Sequence, residues 1–167
     1  MKSMKDRGSK PDSPGKSSSR NIKLKLTMQY ATHAADVPVR SEFRKWIKVA
    51  LVQDAEIVMR IVDEVEGRSL NRDFRGKDYA TNVLTFGYSN TRPLSGDIVL
   101  CTPVIENEAR QQHKNLDAHY AHLTVHGILH LQGYDHESDA GAAIMERLEA
   151  EIMESLGYHN PYDEIVD

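Results

Sequence analysis

The feature that most constrains the fold of this chain is the run His126-Gly-Ile-Leu-His130-Leu-Gln-Gly133-Tyr-Asp-His136. Its first two histidines stand at i and i+4, so on a helix their imidazoles project side by side from one face. A straight helix would carry residue 136 well away from that pair. The chain must therefore break after His130 and bend back, and Gly133 is the residue that can take the left-handed backbone such a break needs. The segment asks for a long helix ending near Gly133, with a turn that returns a third imidazole to the first two.

Three neutral imidazoles so gathered suit zinc, at Zn–N distances of about 2.0–2.1 Å, and leave a fourth tetrahedral position open. Water held there becomes hydroxide near neutral pH, which is a catalytic arrangement. A structural site more often closes its shell with cysteine, and Cys101 is the only cysteine in the chain. His126, His130 and His136 are thus the expected ligands of one Zn(2+), and His126 counts among the residues carrying the reaction. Histidines at 119 and 122 extend the same stripe, roughly 80° wide on a helix. They read as buried groups, His122 lying behind the ligands. His33, His113 and His159 read as solvated. Asp135 either orients a ligand or assists proton transfer, or else caps the turn. The form H-x-x-x-H-x-x-G-x-x-H resembles the zinc scaffold of metzincin proteases, but those carry Glu beside the first histidine as general base. Here that position is Gly127, which weakens a peptidase reading.

Around this segment the pattern is that of an α+β domain. Ile22, Leu24, Leu26 and Met28 alternate with polar residues as in a half-buried strand. Residues 57–62, 83–86 and 97–100 supply three more strands. Phe43, Trp46, Ile47, Ala50 and Leu51 repeat at helical spacing, with Ser41 as the expected N-cap. Leu70–Arg75 makes a short helix closed by Gly76, and Val104 to about Gln112 makes another. The histidine helix begins at Asn115 or Asp117. Ser138 caps a last helix that buries Ile144, Met145, Leu148, Ile152 and Leu156. The expected fold is a small mixed four-stranded sheet covered by helices, with the zinc site at the end of a helix in the C-terminal half. Strand order is not readable from pattern.

Residues 1–20 are rich in Ser, Lys, Pro and Gly and read as a disordered basic tail ahead of a single domain at 21–167. The tail has six Lys or Arg against two Asp, a net of +4, and the whole chain is −4, so residues 21–167 carry −8. An acidic domain lacks the broad basic face of a general nucleic-acid binder, so RNA contact must rest on a local patch. No run of about 20 apolar residues and no secretory signal is present, which makes the cytoplasm the expected compartment and excludes a membrane role.

That local patch is Leu70–Asp78, where Arg72, Arg75 and Lys77 can meet phosphates. The segments FRGKDYATNVLTF, SGDIVLC and HGILHLQGYDH, in this order, resemble the YbeY family of bacterial endoribonucleases from about Ile22 to Tyr162. Thr85 stands where that family commonly has serine, and Asn82 where it has aspartate. The resemblance places the family's zinc ligands on His126, His130 and His136 and its functional arginine on Arg75. It implies metal-dependent cleavage of single-stranded RNA, maturation of the 16S rRNA precursor at its 3′ end and quality control of the small ribosomal subunit. Implied partners are small-subunit proteins and an assembly GTPase. On the residues alone two rivals stay open, a non-catalytic RNA-binding assembly factor with structural zinc, and a metalloprotease. The attacking group, metal hydroxide or a ribose 2′-hydroxyl, is also open.

Overall fold

A computed structural model describes residues 21–88 and 92–163. The expected tail at 1–20 lies outside the described residues. In chain order the elements are β1 (Leu24–Ala31), α1 (Arg40–Ala50), β2 (Ala55–Val62), α2 (Glu64–Arg75), β3 (Val83–Tyr88), β4 (Leu94–Cys101), α3 (Thr102–Gln111), α4 (Leu116–Leu131) and α5 (Asp139–Ser155). The strands lie in the order β1-β2-β4-β3. β1 with β2 and β2 with β4 are parallel, and β3 runs antiparallel to β4, giving the mixed α+β sheet that was expected.

Period-two alternation assigns the two faces. Leu24, Leu26, Ile57, Met59, Ile61, Ile98 and Leu100 point to one side, where α1, α4 and α5 cover them with Phe43, Trp46, Tyr120, Ile128, Leu148 and Ile152. Val62, Leu84, Val99 and Cys101 point to the other, against Leu70 and Phe86. At the β1 edge the outward carbonyls of Leu24 and Leu26 accept from the guanidinium groups of Arg44 and Arg40 at 3.1 and 2.8 Å. Two outward carbonyls of this edge strand are thereby satisfied within the chain.

Three local expectations are corrected. α1 starts at Arg40 with Val39 at the cap position and no side-chain cap, so Ser41 lies inside the first turn. Pro38 and the anchoring of Arg40 on β1 set that start. α2 begins at Glu64 and not near Leu70. Gly67, which reads as a helix breaker, is buried where α2 crosses β4, and a Cβ there would stand 2.8 Å from Cys101 Sγ. Ile144 is 43% exposed, because the buried stripe of α5 is Met145, Leu148, Glu149, Ile152 and Met153. The caps at Asn115 and Ser138 are as expected, accepting from the backbone of Ala118 and Gly141. Among the described residues no helix is long and apolar enough to cross a membrane.

Candidate metal centre

α4 ends at Leu131, and Gly133 follows with φ of 104°. The Tyr134 amide returns to the Leu129 carbonyl at 3.2 Å, closing the helix as the chain reverses. Asp135 Oδ1 accepts from the Glu137 amide at 3.1 Å, so its side chain holds the turn. The reversal puts the His136 ring centre 5.4 Å from that of His126 and 6.3 Å from that of His130. Imidazoles sharing one zinc through a single nitrogen each have ring centres roughly 5–6 Å apart. The bend thus brings together the three residues named from spacing. They converge without forming a finished cage: among the described residues no three His, Cys, Asp or Glu side chains are gathered into a group ready to hold a metal.

Their hydrogen bonds decide whether zinc fits. His126 Nδ1 lies 2.5 Å from Glu149 Oε2, and His130 Nδ1 lies 3.1 Å from the Tyr134 carbonyl. An ionised carboxylate and a carbonyl only accept, so each Nδ1 carries the proton and each Nε2 keeps its lone pair. This is how zinc-binding histidines are ordinarily held, the second nitrogen donating to a carboxylate or carbonyl. The residues fit the ion: His126 and His130 would hold it through Nε2, with His136 as the third ligand.

Glu149 is the member of this site that sequence reasoning missed. It is fully buried and also accepts from His122 Nε2, at 2.9 Å, and from the Tyr162 hydroxyl. Burial works to raise its carboxyl, but the hydrogen bonds from His122 and His126 prevail and hold it at about 2. Burial depresses His122 against the opposing pull of Glu149. Burial also depresses His130, joined by the charges of His126, His136 and Arg75, with the Tyr134 carbonyl opposing. Burial and Glu149 together push the Tyr162 phenol up. The available signal was a charged residue on the apolar stripe of α5. One turn back along α4, His119 pairs in the same way with Glu108, at 2.9 Å, and Asn82 also donates to Glu108.

Gly127 has a structural reason. A Cβ there would press on Ile98 Cδ1 and Thr85 Cγ2 at 3.2 and 3.3 Å. α4 lies close to the sheet at this point, so a larger side chain here would require Ile98 and Thr85 to give by a few tenths of an ångström.

Arg75 ends α2 and is exposed, and among the described residues its side chain has no hydrogen bond or ion pair. Its charge acts on His130. Lys77 is exposed beside it, whereas Arg72 is turned toward Asp73 at 3.3 Å and Asp78 at 3.9 Å. Arg68 is held by both oxygens of Asp78 at 2.8 and 3.0 Å. Of the three residues named for phosphate contact, Arg75 is the one whose charge acts on His130.

The family described as Endoribonuclease YbeY matches residues 26–157. A protein named endoribonuclease YbeY from Nitrosospira multiformis is 55% identical, over 95% of this chain and 94% of its own length. One of the same name from Nitrosomonas europaea is 61% identical, over 89% and 91%. The solution structure of TM1509 from Thermotoga maritima superposes with a TM-score of 0.56 at 26% identity, over 80% of this chain and 88% of that one. Matched along most of its length, and with relatives above half identity that it covers almost end to end, the chain belongs to the endoribonuclease YbeY family.

Proposed function

We propose that this protein is a zinc-dependent endoribonuclease that cuts single-stranded RNA. On this reading it matures the 16S rRNA precursor at its 3′ end and takes part in quality control of the small ribosomal subunit, in the cytoplasm. Small-subunit proteins and an assembly GTPase are its partners. The relatives' name supports the nuclease activity. The single observation carrying the reading is the pair of backed imidazoles, His126 and His130, converging with His136, with the charge of Arg75 felt at His130.

When bound, zinc supplies Lewis acidity toward a phosphoryl oxygen and a nucleophile at neutral pH. The chain's own residues do the rest. Glu149 and the Tyr134 carbonyl fix the tautomers and ring planes of His126 and His130. Arg75 offers a planar fork to the scissile phosphate and opposes the negative charge that grows on it. With Gly127 beside the first histidine, no carboxylate stands there to pass a proton to a peptide amine, whereas the alkoxide leaving group of a phosphodiester needs less help.

Single-turnover cleavage of a defined single-stranded RNA tests this, comparing the wild type with Arg75→Ala. The variant is expected to lose about 100-fold or more in rate while its metal content is unchanged. A wild type that binds but never cuts the RNA would make the chain an assembly factor instead. Equal rates in the two proteins would remove Arg75 from the site.

A further inference from the structure

Phe74 stands out among the aromatic residues. It precedes Arg75 at the end of α2 and is 67% exposed. Phe86 on β3 braces it, the ring centres 5.3 Å apart and the planes at 67°. An edge-to-face contact engages at most one face of a ring, and the exposure leaves the other open to solvent.

The surroundings say what would cover it. β3 is the outer strand of the sheet beside β4. Thr85 and Gly87 turn toward α4, where they meet Gly127 and Leu131, and Phe86 turns to the opposite side, beneath α2. The histidine cluster and Phe74 therefore lie on the two sides of one sheet edge. Arg75 follows Phe74 as the last residue of α2, and the contact of Phe74 with Phe86 sets that helix end against β3. A polyanion with one phosphate at Arg75 would carry its next unit toward the open ring of the adjacent Phe74.

We propose that Phe74 is a base-stacking subsite, on which the nucleobase flanking the scissile phosphate of single-stranded RNA lies against the exposed ring. This rests on the nuclease reading above and adds to it a reason for strand selectivity. Bases in a duplex are stacked on one another, so only an unpaired base offers a face to an aromatic side chain. Such stacking tolerates any sequence, because every base has a π face.

Trp46 is the only tryptophan in the chain and is fully buried, so the full-length Phe74→Trp protein has a single exposed indole. A short, unstructured 2′-O-methyl oligouridylate is titrated in, with fluorescence of the protein and anisotropy of a label on the oligonucleotide read together. The expected results are quenching that follows the binding curve, near wild-type affinity for Phe74→Trp and Phe74→Tyr, and about tenfold weaker binding for Phe74→Leu and Phe74→Ala. Phe74→Leu keeps an apolar side chain against Phe86 but has no π face, and circular dichroism confirms that each variant is folded. Binding without quenching, or unchanged affinity in Phe74→Leu and Phe74→Ala, overturns the subsite and leaves the nuclease reading standing. A change in sedimentation between wild type and Phe74→Ala without RNA, at equal RNA affinity, marks the ring as a protein contact and also overturns it. Wild type that binds no RNA defeats the nuclease reading itself, and the subsite with it.

Discussion

Glu149 shows how one buried charge can serve a site without touching its substrate. A carboxylate taken out of water is costly unless donors meet its oxygens, and here His122, His126 and Tyr162 supply three. In return it fixes the proton on His126 Nδ1. Glu149→Gln keeps the shape but replaces the charge with an amide that can also donate, so the His126 tautomer is no longer dictated. Zinc affinity is expected to fall about 10–100-fold, read by competition with a chromogenic chelator on folded protein. Affinity equal to wild type would mean that the carboxylate plays no part in holding the metal. The convergence of His126, His130 and His136 was legible in the sequence because their spacing is local, all within one helix and its turn. Glu149 was not, because its partner lies on another helix and no spacing rule links residues 126 and 149. Asp135, left between ligand support and turn cap, is seen capping the turn.

At the scale of elements, close approach outweighs propensity. Gly67 lowers the helical tendency of α2, yet the helix runs through it because only a glycine fits over Cys101. Gly67→Ala should gain ~1 kcal/mol in helix propensity and lose ~1–3 kcal/mol to overpacking against Sγ. A net loss of about 1 kcal/mol in urea unfolding is expected. In the Cys101→Ala background the 2.8 Å contact is gone, and the same change should become neutral or stabilising. Identical effects in both backgrounds would show that the sulfur does not set the fit. The same logic explains which elements the sequence showed. The strands, the N-caps at Asn115 and Ser138 and the helix end at Gly133 follow from periodicity and local backbone chemistry. The start of α2, the displaced cap of α1 and the exposure of Ile144 depend on what lies across the interface, and so does the strand order.

Over the whole molecule these paired acids and depressed imidazoles give stability one direction with pH. His122 and His130 titrate below their ordinary value in the fold, so below about pH 6.5 the unfolded chain takes up protons that the folded one refuses. Stability contributed by these groups is present above that value and is lost as pH falls. Glu108 and Glu149 are held below the ordinary carboxylate range, Glu149 at about 2. Their contribution is present above about 4.5 and is lost between there and the folded values. Each full proton of difference costs ~1.4 kcal/mol per pH unit, a slope that the half-exposed His130 and Glu108 do not reach because water screens them. In chelator-treated protein the urea midpoint should be flat from pH 8 to 7, decline below about 6.5 and steepen below about 4.5. Glu149→Gln should remove much of the steeper limb. A midpoint unchanged from pH 7 to 4 would contradict the paired network. Because zinc needs neutral imidazoles, a proton taken up by His130 both loosens the fold and competes with the metal that this residue would hold. Metal release and unfolding should therefore start on the same acid limb.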